Sequence, residues 1–370
     1  MILMHNLKHA TSVKWYAFFC LALAMGCKNE ISREYGKSDS AAAARSPAGL
    51  SVFRNLVQDR KYQASTLDRL YPSLELDANT IVWAPDYFPQ HDAATIKRLE
   101  TWLNTGERIL VYIGRDFSPQ AEFWSRVAKD SKTTNNPNQW SRIVVQGEKE
   151  AMYLDDMRDK KRDLAITPWF VYRAKQGPCE KVTSLQGPWA KELDSLKTSI
   201  AIRSNLNSFT ESELIQIRKE LDWQASSGIN PNPLNFPIVK PPPGTANQPY
   251  PRYWTNSDID QLNLAMNLYA GVVSNRNVLL ATSSGEPLVT ELSLASGSSK
   301  VIVVANSSIV SNLGLLDSGN RLIASKLIDK FSGATVGFLT GDKDPEIVTN
   351  NSNRQSGIEF LTVWPDRKST

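Results

Sequence analysis

The side chains that could do chemistry are few, and they stand where apolar runs end. Asp86 follows Ile81, Val82, Trp83 and Pro85; Arg115 and Asp116 follow the run 109–113 and Gly114. Asn306, Ser307 and Ser308 follow the run 300–305, and Asp342 follows the run 334–339 and Gly341. Carboxylates and a guanidinium so placed can hold a polar ligand through charge-assisted hydrogen bonds. A serine becomes a nucleophile only when a base lies beside it. Bases are scarce here. His5, His9 and His91 are the only histidines, and the first two fall in a leader expected to be removed. A Ser-His-Asp or Cys-His pair would therefore have to use His91, which reads as a solvent-exposed loop residue. Cys179, in GPCEK, is the only thiol outside the leader and its expected lipidation site, so no internal disulfide can form. Zinc sites built from Cys and His are excluded on the same counts.

Other motifs narrow the field further. No G-x-S-x-G or G-x-C-x-G elbow is present, and no phosphate-cradling G-x-G-x-x-G or P-loop follows an apolar run. The remaining enzymatic option is paired acids, Asp155 with Asp156, Asp258 with Asp260, or Asp342 with Asp344, as glycosidase acids or hard-cation ligands. Acidic pairs on loops are ordinarily solvated, so we expect no catalytic residue, no metal and no cofactor. Asp86, Arg115, Asp116, Asn306 and Ser307 are the ligand-binding candidates.

The elements that must position these residues follow from hydrophobic period. Residues 80–114 read as strand, helix, strand: an apolar run ending at Pro85, Asp92 as helix cap, Ile96, Leu99 and Leu103 at helical spacing, Gly106 as the stop, and a second apolar run. Such a βαβ unit predicts a parallel sheet covered by helices. In an open sheet of that kind ligands bind outside the carboxyl ends of the strands, the rule that selects the candidates above. Upstream, Ser46-Pro47 reads as a helix start for a stripe of Leu50, Phe53 and Val57, with a strand over 62–67. Downstream we expect a helix over 119–129 with Phe123, Trp124 and Val127 inward, a break at TTNNPNQ, a short strand at 143–146, a solvated helix in EKEAMYLDDMRDKKRD and one buried strand over 165–172. Thr210-Glu211-Ser212-Glu213 opens a helix to Gln224. Residues 229–254 hold eight prolines interleaved with Phe236, Tyr250, Tyr253 and Trp254, a surface crossover, with a docking loop or sugar-stacking platform as its functional alternative. Strands return at 277–282, 288–292, 300–305 and 334–339, with a helix carrying Leu322, Ile323, Leu327 and Ile328.

The N-terminus bears on location. Lys8 and Lys14 precede an apolar stretch, 15–25, of signal-peptide length, which leads through Leu23-Ala24-Met25-Gly26 to Cys27. That run resembles a bacterial lipobox, with Met25 larger than the usual residue at its position. Cys27 is then the lipidated first residue of the mature chain. Lys28 follows it, and with no Asp there an outer-membrane site facing the periplasm is expected. Residues 1–26 are thus a lipoprotein signal peptide and 27–45 a flexible tether that includes KSDSAAAAR. Residues 46–130 form the first part of an α/β domain, 131–276 an insertion, and 277–370 the second part with a tail. Losing the leader lowers the formal charge of +4 by two, too weak a balance to suggest nucleic-acid binding.

YGKS after the lipobox, IVWAP with its helix and GERILVYIG, and VIVVANSSIVSNLGLLDSGNRLIASKLID together resemble the domain-of-unknown-function 4350 family over about 35–114 and 278–339. The resemblance implies a mainly parallel, three-layer α/β sheet similar to flavodoxin-like and class I glutamine amidotransferase-like domains, here without the cysteine and histidine an amidotransferase uses. It also implies an extracytoplasmic protein in an accessory role beside an envelope transport or chaperone-like ATPase system. Many members carry a later membrane helix, and no apolar span follows Leu339 here. The expectation is an envelope lipoprotein, membrane-attached through its lipid, whose α/β scaffold binds a protein partner or small ligand. The alternative is a carboxylate-dependent glycan hydrolase or carbohydrate-binding module.

Overall fold

The structure is a computed structural model that describes residues 46–85, 91–114, 119–131, 137–160, 164–174, 180–193, 196, 200–202, 204–207, 272–341 and 345–348. All of them belong to the unit Arg33–Thr370. Its centre is an eight-stranded sheet built from β1 (Gln63–Leu67), β2 (Thr80–Pro85), β3 (Ile109–Ile113), β4 (Leu185–Gln186), β5 (Val273–Thr282), β6 (Pro287–Leu294), β7 (Lys300–Val304) and β8 (Thr335–Gly341). Their spatial order is β1-β8-β2-β3-β7-β6-β5-β4. The first five pair in parallel, and β7-β6, β6-β5 and β5-β4 pair antiparallel. The fold is therefore mixed α/β with a mostly parallel sheet.

The helices are α1 (Ser51–Asp59), α2 (Ala93–Leu103), α3 (Pro119–Ser131), α4 (Pro137–Lys160) and α5 (Ser318–Ile328). Alternation along the central strands divides the core between the sheet's two faces. Val82, Val111, Ile302 and Val304 pack with Phe53 and Val57 of α1 and with Ile323 and Leu327 of α5. Ile81, Trp83, Leu110, Tyr112, Val301 and Val303 point the other way, onto Ile96, Leu99, Trp102 and Leu103 of α2. Because both faces are covered, residues 81–85, 109–113 and 301–304 of the central strands are unbroken apolar runs, the mark of a buried parallel sheet. Asp92 caps α2 as expected, its Oδ1 accepting from the Ala94 amide at 3.2 Å, and Gly106 has φ +146°. β2, α2 and β3 form the expected crossover between adjacent parallel strands.

Several expectations need correction. Residues 143–146 lie within the 24-residue α4, not in a strand: Ile143 is buried and Val145 exposed on a helix, so three β-branched residues in four were misread as a strand. Residues 165–172 are not one strand either. Leu164–Ile166 and Val171–Ala174 pair antiparallel about a turn, and Ser204–Asn207 joins them in a separate three-stranded sheet. Thr167 makes the turn, its Oγ1 accepting from the Trp169 and Phe170 amides while its own amide donates to the Phe170 carbonyl. The helix read from Ser46 starts at Ser51; Ser46 Oγ instead accepts from the Ala48 amide in a local turn. Strands 273–282 and 287–294 pair antiparallel, so the parallel sheet expected from the βαβ unit is antiparallel on this side. The helix from Thr210, the proline-rich stretch, Cys27 and Cys179 lie outside the described residues, as do Thr133 to Asn136 of TTNNPNQ; Pro137, Asn138 and Gln139 begin α4.

Candidate functional site

The carboxyl ends of the parallel strands meet at one edge. The Gly114 amide donates to the Val304 carbonyl at 2.8 Å, and the Ser307 amide donates to the Gly114 carbonyl at 2.9 Å. These bonds continue the β3-β7 ladder one step past the strands and bring Gly114, Asn306 and Ser307 together. Asn306 then turns the chain, its Oδ1 accepting from the Ser308 amide at 2.7 Å, and a short 3-10 helix, Ser307–Ile309, follows. Asn306, Ser307 and Ser308 are all buried. Ile309, Val310 and Leu315 join the apolar core beside α1 and α5. The segment after β7 thus packs down over the sheet edge.

Three residues lock that segment. Asn320, on α5, is fully buried and donates through Nδ2 to the carbonyls of Ser308 at 3.2 Å and Gly314 at 3.0 Å. Gly314 sits so close that a Cβ there would lie 1.8 Å from the Ser308 carbonyl oxygen. Asn312 reaches across to α1: its Oδ1 accepts from the Val52 amide at 2.9 Å, and its Nδ2 donates to the Ser46 carbonyl at 2.8 Å. Leu50, at the position before the helix, has no side-chain cap of its own, so α1 is capped by a residue 260 positions away in sequence.

On the α2 face of the same edge stands His91. Its ring lies 4.2 Å from that of Trp83 and 5.7 Å from that of Tyr112, with Nε2 3.4 Å from the Tyr112 hydroxyl. Phe170 extends the cluster, 4.6 Å from Tyr112. His91 is therefore a half-buried member of an aromatic cluster and not a free loop histidine. Asp86, Arg115, Asp116 and Asp342 lie outside the described residues, whereas Pro85 and Gly341 are partners in register on neighbouring strands. Asp155 and Asp156 are on α4. Among the described residues no group of three or more His, Cys, Asp or Glu side chains is placed to hold a metal ion. No described helix is long and apolar enough to cross a membrane.

A cavity of about 210 Å³ lies at the opposite end of the sheet, on the α2 face. Its walls include Glu100, Leu103 and Asn104 from the end of α2, Trp169 from the Thr167 turn, and Leu294 and Ser296 from the end of β6 and the turn after it. Ser299 fixes the two sides together: its hydroxyl reaches the carbonyls of Leu103 and Gly106, and it accepts from the Arg108 amide at 3.1 Å. The Trp169 indole is buried, and among the described residues its Nε1 has no hydrogen-bond partner. Burial pushes the Glu100 carboxyl above its ordinary value, opposed by the positive charge of Lys97. On the other face Glu291 is held by Lys300 at 3.2 Å and Lys330 at 3.0 Å. Burial alone would raise its carboxyl, but the two ammonium groups outweigh that and hold it below the ordinary value.

Sequence reasoning missed Asn312, Asn320, Trp169 and Glu100. A signal existed only for Trp169, because Thr167-Pro168 is a turn pair inside what looked like a strand. Comparison with protein-family models, with curated proteins and with solved structures found no match to the chain.

Proposed function

We propose that this chain is a lipid-anchored protein of the bacterial envelope whose α/β body binds a protein partner or a small ligand and performs no chemistry itself. The observation that carries this reading is the packed segment that closes the β7 end of the carboxyl edge. There the side chain of Asn306 is engaged in capping Ser308, the Ser307 amide is engaged by Gly114, and Ile309, Val310 and Leu315 lie in the core. Enzymes of open parallel sheets keep that edge open for substrate. The finer architecture we assign is a three-layer sheet of the flavodoxin-like and class I glutamine amidotransferase-like kind, with 131–276 as an insertion and membership of the domain-of-unknown-function 4350 family. Burial of the sheet on both faces supports the layering. Attachment through Cys27 at the outer membrane, facing the periplasm, rests on the lipobox; the weak net charge favours no nucleic-acid partner.

The test is metabolic labelling with palmitate followed by crosslinking and purification from membranes, comparing the natural chain with Cys27→Ala. We expect label in the natural chain alone, and a stoichiometric partner or retained small molecule that depends on membrane attachment. Absence of label removes the anchor from this reading. Glycan hydrolysis by the purified chain, abolished by Asp86→Ala or Asp116→Ala, replaces the scaffold with an enzyme.

A further inference from the structure

Among the described residues the large sheet ends on β1, which is bonded to β8 and to no other strand. In a parallel strand every second residue turns both its N–H and its C=O toward the same neighbour. The Gln63 amide donates to the Ala334 carbonyl at 2.8 Å, so Gln63, Ser65 and Leu67 face β8, while Ala64 and Thr66 turn their backbone groups away from the sheet. Such a row is a template on which another strand can form. The devices that commonly blunt an edge are missing from β1 itself: QASTL holds no charge, proline or glycine, and it pairs with β8 without a register shift. Gln63 and Ser65 are exposed.

Protection comes instead from α1. Arg54 donates through Nη2 to the Ala64 carbonyl at 3.1 Å and through Nη1 to the Thr66 hydroxyl at 3.0 Å. Its planar fork therefore holds both outward-turned residues at once. A strand added to β1 would run about 4.8 Å from it and would bring its own N–H to the Ala64 carbonyl, in competition with a cationic donor already there. The strand best matched to that edge is a second β1. Two copies related by a two-fold axis at Ser65 set Ala64 of one against Thr66 of the other, the outward positions of both, so the edge is complementary to itself.

We propose that Arg54 is an edge guard, which holds Ala64 and Thr66 so that a second copy of this chain does not add its own β1 to the sheet. Displacing the guanidinium loses two charge-assisted hydrogen bonds, about tenfold or more each, so the guard disfavours pairing by about a hundredfold. Neither the lipid anchor nor a bound ligand enters this inference, and it stands or falls apart from them.

The test uses the full chain with Cys20, Cys27 and Cys179 replaced by serine and with Ser65→Cys as the single thiol. In the two-fold pairing the two 65 positions face each other as a non-hydrogen-bonded pair with Cα atoms about 4.5 Å apart, within reach of a disulfide. Mild oxidation should leave this chain largely monomeric, whereas adding Arg54→Ala should turn most of it into a disulfide-linked dimer. Arg54→Lys keeps the charge and loses the fork, and it should give an intermediate yield. A thiol at Leu76→Cys, a position 73 % exposed and off the edge, should show no dependence on Arg54. Should Arg54→Ala fail to fold by circular dichroism, Arg54→Lys carries the comparison. Equal dimer yield with and without Arg54 overturns the guard, whether both yields are high or both low. A rise of the same size at position 76 also overturns it, since the association would then be nonspecific.

Discussion

Replacing Asn312 by alanine should destabilise the protein through a helix that lies elsewhere in the sequence. The carboxamide caps the first turn of α1 by accepting from the Val52 amide at 2.9 Å, and it donates to the Ser46 carbonyl at 2.8 Å. Loss of a side-chain cap costs about 0.5–2 kcal/mol. The Ser46 carbonyl also accepts from the Gly49 amide at 3.1 Å, so losing the second bond leaves no orphan and adds only about 1 kcal/mol. The sum expected for Asn312→Ala is roughly 1.5–3 kcal/mol. Asn312→Asp separates the two parts, since it keeps the acceptor at a helix N-terminus, where negative charge is favoured, and loses the donor. It should cost about 1 kcal/mol or less. Urea unfolding followed by far-ultraviolet circular dichroism measures both, as a lower midpoint at unchanged slope. If Asn312→Ala unfolds within a few tenths of a kcal/mol of the natural chain, the cap is not made across the fold and the account of the 306–320 segment is wrong.

Other perturbations test neighbouring parts of the structure. Gly314→Ala sets a methyl group against the Ser308 carbonyl oxygen and should cost about 3 kcal/mol or more, visible as a large fall in melting temperature; an unchanged melt contradicts the tight loop. Glu291, held below its ordinary value, contributes stability that is present above about pH 4.5 and is lost as pH falls through the folded value. Glu291→Gln should flatten that acid limb and cost about 1–2 kcal/mol at neutral pH, discounted because Lys300 is itself 39 % exposed; an unaltered acid limb would count against the pair of ion contacts. Glu100 has the opposite sign: its contribution is full below about pH 4.5 and is lost as pH rises through its raised folded value. Glu100→Gln should therefore be at least as stable as the natural chain near pH 7, and a marked loss there would show that the ionised carboxylate is stabilised by a partner.

The legible parts of the fold are those governed by neighbours in sequence. The β2-α2-β3 unit could be read because Asp92, the Ile96-Leu99-Leu103 spacing and the flanking apolar runs act within a few residues of one another. The same locality explains why β1, β7 and β8 lie close to the expected runs 62–67, 300–305 and 334–339, and why the stripe of Leu322, Ile323, Leu327 and Ile328 falls on α5. Mistakes arose where local preference was overruled or shared. Ile143, Val144 and Val145 favour a strand by composition, yet they lie in a long helix. The Thr167 turn was hidden because the apolar residues around it satisfy a strand and a buried hairpin equally well.

For the candidate site the division is sharper. Sequence alone determined that His91 is the only histidine after His9, that no nucleophile-elbow or phosphate-cradling motif is present, and that Asn306 and Ser307 stand at the end of an apolar run. Tertiary structure decided that Ser307 meets Gly114, that His91 packs on Trp83 and Tyr112, and that Asn312 caps a helix from the other end of the chain. It also placed Trp169 and Glu100 in the wall of one cavity. Periodicity and capping are written in the nearest few residues, because the helix and strand repeats are short. Contacts between distant segments depend on which strands pair and on which face each helix lands, and no local pattern encodes that choice.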